Sequence, residues 1–499
     1  MSAGLHEPPP LASLTRLPSY SWLIVGTVCV GAFLGQLDAS IAGLVLPTLE
    51  ETFAASVASV EWVAIAYLVT LAALVVPFGR LADLAGRKLL YVSGFLVFIT
   101  GSALCGFAPS LAWLIAFRVV QAIGAAMLQA NSVAIITAAV ARRRLGRAIG
   151  IQGAAQAVGL SVGPSVGGFL IDALGWRWVF FIAVPFGLMG TVLGWLVLPT
   201  TARAEGQETE ERFDWPGALL LGPSVALFML ALTFANDWGW TSPAFLGVTL
   251  LAAVCLGLFV ATEVRATSPL VDLALFASRL FTIGIVAGLL SYSVLFGSLF
   301  LIPFYLERIL DRTPAEAGLL LSPVPLALGI VAPLAGTLTD RFGSRLPTVT
   351  GMLLSAVALL ALALLPDSGL SLMLVLLGVL GVGLGLFTPP NNSAIMGSAP
   401  QHRLGVAGGI LNMTRGIGTS LGVALTGAIL ALLLSVYTGA HVESTVDADP
   451  AALELAFHQT LFCLGVLAAA AGVLSAVRGA PTLQAAPAQP ATMAESIGL

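Results

Sequence analysis

Charge is what this sequence has least of. Only 9% of its 499 residues are Asp, Glu, Lys or Arg, against roughly 25% in a soluble globular domain. A single lysine, Lys88, stands among twenty arginines, and because Arg87 precedes it no GK[ST] phosphate loop exists anywhere. That excludes an ATP-driven pump. Cysteine is equally sparse: Cys29, Cys105, Cys255 and Cys463 fall singly in four apolar runs, without a CxxC pair or a histidine at ligand spacing. Neither a disulfide framework nor a zinc site is indicated, and no cofactor or metal is expected. The four scattered histidines cannot supply the clustered sets that an intramembrane enzyme needs, and no nucleic-acid partner is expected. The opening residues lack a basic stretch leading into a short apolar core and cleavage site, so no removable signal peptide is expected.

What is abundant is hydrocarbon. Hydrophobic residues make up 58% of the chain and mean hydropathy is +1.00. Fourteen apolar runs are each long enough for a spanning helix of about 20 residues, the first near 22–47 and the last near 454–477. This predicts an all-α polytopic membrane protein. With the N-terminus placed in the cytoplasm, sixteen of the 21 basic residues fall inside, three outside and two within spans, which supports both the orientation and the even number of helices. Both termini are then cytoplasmic. The basic cluster Arg142 to Arg144 needs no further explanation than this topology.

The chain repeats itself. "GRLADLAGRK" from Gly79 is echoed by "GTLTDRFGSR" from Gly336, and "GRAIGIQGAAQAVGLSVGPSVGG" from Gly146 aligns without gaps on "GVAGGILNMTRGIGTSLGVALTG" from Gly405. The offset carries span 2 onto span 10 and span 5 onto span 13, so each repeat is six helices and spans 7 and 8 are extra. The predicted organisation is a cytoplasmic segment 1–21, a six-helix bundle 22–199, a linker with two extra spans 200–280, a second bundle 281–478 and a disordered tail 479–499. Within the linker, the acidic stretch from Thr200 reads as cytoplasmic, and "EVRATSPLVDLALFASRLF" as an amphipathic connection along the inner membrane surface. Two parallel repeats around a midplane cavity are the layout of a rocking secondary transporter.

A few residues break the apolar rule. Asp38 lies roughly 13 Å below the outer boundary and Arg118 about 10 Å down from the outer end of span 4, at 1.5 Å per residue. Ionisable residues in hydrocarbon are expensive and usually paired or functional. A contact between these two is expected, and it pulls the acid both ways, since the cation favours the charged form and desolvation the neutral one. That conflict makes a proton switch; the alternative is a static buried ion pair. With no other acid deep in a span, proton and substrate are expected to compete at one carboxylate, which argues against a doubly cationic cargo.

Gly159, Gly163 and Gly167 share one face of span 5, where small residues allow close helix packing, and Pro164 among them removes a backbone donor and is expected to kink the helix. Face and kink are expected to set how the two bundles close. G-x-S-x-G around Ser161 would need a strand-to-helix turn to act as a nucleophile elbow, which a helical span denies. The loop with Gly79, Arg80, Asp83, Gly86, Arg87 and Lys88, and its counterpart with Asp340 and Arg341, is expected to be an inner gate latched by ion pairs. Polar side chains along spans 4, 5, 12 and 13, among them Gln129 and Asn391, need partners in hydrocarbon. Gln121, Asn131, Gln152, Gln156, Asn392, Asn412 and Arg415 are the candidates for the substrate cavity, with Gln156 and Arg415 at equivalent repeat positions near midplane, about 15 Å from the cytoplasmic start of their helices. His458 is expected to be a packed or hydrogen-bonded histidine rather than a relay.

These residues resemble the major facilitator superfamily, and within it the fourteen-helix drug:proton antiporters of the QacA and EmrB type. "LDASIAGLVLP" is similar to the helix 1 signature, "GRLADLAGRK" to the helix 2 to 3 loop, "RVVQAIGAAM" to the helix 4 basic motif, "GLSVGPSVGG" to the antiporter motif of helix 5 and "GWRWVFFIAVP" to the segment that follows it. Gly43, Ala122 and Ala183 depart from the family pattern and leave Asp38 and Arg118 in place. The resemblance implies a major facilitator fold of two six-helix bundles plus two central helices, in the bacterial cytoplasmic membrane. It implies proton-driven efflux with Asp38 as protonation site and Arg118 as its partner. The expected cargo is an amphipathic, monocationic or neutral drug, the energy source a proton gradient and the working unit a monomer in the lipid bilayer. A dedicated exporter of one natural product or lipid, or a nutrient symporter, are the alternative readings.

Overall fold

The computed structural model describes residues 7, 9–55, 57–200, 213–364, 369–438 and 450–478, apart from the side chains at 42–44, 47, 57, 58, 164, 165, 304, 307, 314 and 315. The tail 479–499 and most of the acidic linker lie outside them. Among the described residues there is no strand, and fourteen helices are long and apolar enough to cross a bilayer. In hydrocarbon a backbone must satisfy its own N–H and C=O groups, so apolar runs of this length can only be helices.

In chain order they are α1 Tyr20–Phe53, α2 Val57–Ala85, α3 Arg87–Gly106, α4 Leu111–Ala139, α5 Leu145–Leu174, α6 Trp178–Val197, α7 Trp215–Thr233, α8 Pro243–Glu263, α9 Arg279–Arg308, α10 Glu316–Phe342, α11 Arg345–Leu364, α12 Gly369–Ser398, α13 Leu404–Thr438 and α14 Pro450–Val477. Local chemistry marks several starts. Asp214 accepts from the Gly217 N–H and Ser242 from the Phe245 N–H, each just before a proline in the first turn, while Thr313 and Glu316 form a reciprocal capping box.

The two repeats clasp each other crosswise: α2 packs on α13, and α5 on α10. Close approach at these crossings depends on glycine. A Cβ on Gly79 would run into the Gly405 carbonyl, and one on Gly336 into the Gly146 carbonyl. The extra pair is peripheral, with α7 on α2 and α13, and α8 resting on α7 with only Ala252, Phe259 and Glu263 buried.

The connection after α8 packs one face on the protein and exposes Arg265, Ala274, Phe276 and Ala277. Leu270, Val271 and Leu275 are buried in the main core, because the buried Glu263 carboxylate accepts the Leu270 and Val271 N–H groups at 3.2 and 3.3 Å and folds the segment inward. At the same end, Arg478 is buried and donates to Asn391 Oδ1 at 2.9 Å, while Asn391 Nδ2 donates to the Gly284 carbonyl at 2.9 Å, tying α9, α12 and the end of α14. The arginine-rich ends of the helices form one face, called here the basic face. An even number of spans returns both termini to it, and the Leu11 N–H accordingly reaches the Leu196 carbonyl at the end of α6 at 3.0 Å.

Candidate transport site

Three groups of residues lie along the interior. The first is in the half of the molecule opposite the basic face. Arg118 of α4 points Nη1 at Asp38 of α1, 2.8 Å from Oδ2 and 3.1 Å from Oδ1. Its Nε donates to the Val63 carbonyl of α2 at 3.0 Å, and its guanidinium lies 4.2 Å from the centre of the Tyr67 ring. Gln121, one helical turn further along α4, closes the network: Nε2 donates to Asp38 Oδ1 at 2.8 Å, and Oε1 accepts from Arg118 Nη1 at 2.7 Å. Ser102 of α3 accepts from Gln121 at 3.2 Å and donates to the Phe180 carbonyl at 2.7 Å. Arg118 is 1% exposed and the Asp38 side chain 6%, so the pair is almost dry.

This geometry bears on protonation. Were Asp38 to take up a proton, Arg118 would keep Gln121 Oε1, the Val63 carbonyl and the Tyr67 ring face, so the guanidinium is not abandoned when its counter-charge goes. Gln121, expected in the substrate cavity, is instead a member of this cluster. Its spacing of three from Arg118 puts both side chains on one helix face.

The glycines of α5 pack against the same stretch of α1. A Cβ on Gly159 would sit 2.6 Å from the Phe33 carbonyl oxygen, and one on Gly163 would strike the Ser40 hydroxyl, which itself donates to the Gly159 carbonyl at 3.3 Å. The sequence expected this face to set how the two bundles close; the close contacts of Gly159 and Gly163 lie within the first bundle. Gly159 and Gly163 press on helix 1 of their own bundle close to Asp38, while Gly146 and Gly150 of the same helix meet α10 of the other bundle. Gly167 is buried on the same helix. Pro164, and with it the expected kink, lies outside the described side chains. Gly163→Leu should strain the α1/α5 contact by about 1–3 kcal/mol or more, slowing gradient-driven transport. Gly168→Leu, next to open space on the same helix, serves as the control. Equal initial rates in the two variants would remove the glycine face from the mechanism.

The second group is the latch at the basic face. Asp83 at the end of α2 accepts the N–H groups of Gly405 and Val406 at 3.0 and 3.1 Å, capping the start of α13 in the opposite bundle. Asp340 at the end of α10 accepts the N–H groups of Gly146 and Arg147 at 2.8 and 2.9 Å, capping α5. At the loops where the sequence expected a gate latched by ion pairs, carboxylates meet backbone N–H groups across the interface. The Asp83–Arg87 ion pair, at 2.8 Å, lies within the first repeat. Arg87 adds a cross-link of its own, donating to the Gln401 carbonyl at 2.8 Å, while Arg341 at the second latch is exposed. Arg80 and Lys88 are buried. Gly86 has φ 107, the left-handed region that a side chain would strain, and the turn it makes presents the first turn of α3 to Glu7, whose Oε1 accepts the Leu89 N–H at 3.1 Å.

The third group is a midplane cleft between the bundles. Gln36 of α1, Gln129 and Ser132 of α4, Gln156 of α5 and Arg415 of α13 line it together with Gly31, Ala32 and Gly35 of α1. Arg415 Nη2 donates to Gln129 Oε1 across the bundle interface. Of the sequence candidates, Gln156 and Arg415 are brought together here. Gln152 bonds Ser132 at 3.0 Å and Asn412 bonds the Gln129 carbonyl at 2.9 Å, both acting between helices. Asn131 is fully buried and donates to the Met127 carbonyl of its own helix, so it does not line the cleft. Asn392 lies beside the Tyr292 hydroxyl. Gln36, Ser132, Tyr67, Ser102 and Tyr292 were not singled out from the sequence, and no pattern marks them. Most hydroxyls in these spans bond their own helix, as Thr137, Ser298 and Thr414 do. His458 is hydrogen-bonded to the Leu362 carbonyl at 3.0 Å and packs beside Tyr305 and Phe457.

Two crosswise-clasped bundles, a dry acid–arginine cluster and a cleft at the pseudo-twofold interface define a membrane carrier of small molecules rather than an enzyme. The chain matches the Major Facilitator Superfamily over residues 28–423 and again over 284–487, and belongs to that family. It is 34% identical over 415 residues to the riboflavin transporter RibZ of Clostridioides difficile, covering 83% of this chain and 89% of that protein. It is 34% identical over 422 residues to the multidrug resistance protein Stp of Mycobacterium tuberculosis (84% and 78% covered) and 33% over 438 residues to the tetracenomycin C resistance and export protein of Streptomyces glaucescens (86% and 80% covered). Among solved structures, the human organic anion transporter MFSD10 superposes with TM-score 0.61 over 91% of this chain and all of that one, at 16% identity, which speaks to the fold alone.

Proposed function

We propose that this transporter is a proton-driven exporter of amphipathic small molecules across the bacterial cytoplasmic membrane, acting as a monomer with its basic face and both termini in the cytoplasm. One observation carries the proposal: the buried Asp38–Arg118–Gln121 cluster sits directly against the Gly159/Gly163 face of α5. Taking up or releasing a proton at Asp38 changes the charge of a dry site and therefore the packing of α1 on α5. With the latch holding the basic face shut, Asp38 loads from the outer side. Opening of the latch then exposes the cleft to the cytoplasm, where cargo is collected. Relatives named for multidrug resistance and for export of tetracenomycin C support the outward direction.

The cargo's charge is revised from the sequence expectation. Asp38 is already engaged by Arg118 and Gln121, and Arg415 is the charged side chain of the cleft, so a monocation would find repulsion there.

Purified protein in liposomes with an imposed pH gradient tests the proposal. Cargo should move against the proton flow, and collapse of the gradient should stop it. Accumulation in the same direction as protons would instead establish a symporter, and transport indifferent to the gradient would remove proton coupling altogether.

A further inference from the structure

Among the described residues, three charged side chains lie deep within the spans, away from the helix ends. Asp38 and Arg118 neutralise each other within a closed hydrogen-bond network, leaving Arg415. It is half-buried in the midplane cleft, and its one described hydrogen bond goes to the neutral Gln129. Among the described residues no carboxylate pairs with it. An arginine stays protonated and carries five N–H donors in a planar fork. Half-buried and without a carboxylate partner, such a group gains from a bound anion.

The surroundings suit an anion. Gln36, Gln129, Ser132 and Gln156 bring further donors to the cleft, and Tyr67 and Tyr292 both lie within the electrostatic reach of Arg415. The Tyr67 hydroxyl is buried and has no hydrogen-bond partner. In this state the cleft is nearly closed, at about 10 Å³, so a cargo enters only as the bundles part. In the first repeat the position equivalent to Arg415 is the neutral Gln156, so the fold at this point accommodates an uncharged side chain and does not itself require a cation.

We infer that the cleft takes an organic monoanion, an apolar body carrying one carboxylate, enolate or phenolate oxygen that docks on Arg415. This deepens the proposed export function by naming its cargo class. Docking also touches the transport cycle, since an anion on the guanidinium competes with Gln129 Oε1 and loosens a bond that bridges the bundles. For a monoanion leaving against one entering proton, two charges move inward per cycle, so the membrane potential drives export together with the pH gradient.

A matched set of probes separates charge from shape: pyrenebutyric acid, pyrenebutanol and pyrenebutylamine share one ring system and differ in head group. Binding is measured by fluorescence to the full chain in lipid nanodiscs, wild type against Arg415→Gln, so that partition into lipid cancels. The acid should bind best and the amine worst, the acid should weaken at least tenfold in Arg415→Gln, and Arg415→Lys should recover part of it. An amine bound as well as the acid, or an acid-to-amine ratio unchanged by Arg415→Gln, would overturn the inference. Failure of the bound acid to move under a pH gradient in liposomes would count against proton-driven export instead and leave the anion site standing.

Discussion

Asp38→Asn is expected to abolish transport driven by a pH gradient while leaving cargo binding in the cleft. Asparagine keeps the shape and one acceptor for Arg118 and Gln121, yet it cannot exchange a proton and cannot neutralise the guanidinium. Breaking one side of a buried ion pair costs about 3–5 kcal/mol, because the remaining charge is left in a dry site, so a fall in thermal stability should accompany the loss of activity. Stability and coupling can be told apart. In Asp38→Asn/Arg118→Gln both charges are gone, and stability should return toward wild type while gradient-driven transport stays absent. If the double variant transported normally, the pair would be a structural clasp and the proton would have to travel elsewhere.

Asp83→Ala should unlatch the basic face. The variant loses two carboxylate-to-backbone hydrogen bonds at the start of α13 and the Asp83–Arg87 ion pair. Hydrogen bonds to a charged group contribute about 1.5–3 kcal/mol each. A net bias of about 2–4 kcal/mol, allowing for relaxation, shifts the balance between closed and open basic faces by roughly 30- to 1000-fold. Asp340→Ala should act in the same direction but less, since Asp340 is half-buried and its neighbour Arg341 is exposed. Spin labels at the exposed positions Arg143 and Arg345, one on each bundle, would report the change as a longer distance across the basic face. An unaltered distance distribution in Asp83→Ala would mean that the caps do not hold the closed state.

The number of helices, the repeat and the pairing of Asp38 with Arg118 could all be anticipated from the chain. Apolar length, the 257- and 259-residue offsets and the matching depths of the two charges are one-dimensional quantities, and burial in hydrocarbon leaves them few alternatives. The polar residues of the cavity were legible only in part. Gln156 and Arg415 do line the cleft, whereas Gln121 joins the ion pair, Gln152 and Asn412 link helices, and Asn131 bonds its own backbone. A polar side chain in a span must find a partner, and nothing along the chain says whether that partner is a neighbouring helix or a cargo.

Motif function was legible least of all. Gly159 and Gly163 are readable as a packing face, but that the face meets α1 beside Asp38, rather than the opposite bundle, follows from how α5 is rotated about its axis. Likewise Asp83 beside Arg87 looks like a local ion pair, and only the crossing of α2 over the start of α13 turns its carboxylate into a cap for the other repeat. By itself, then, the sequence determined that this is a two-repeat membrane transporter with one deep acid, because hydrophobicity and repetition are written residue by residue. The tertiary structure alone decided which glycine touches which helix, which carboxylate caps a helix of the opposite bundle and which arginine lies in the cleft, because those depend on side chains brought together from helices hundreds of residues apart.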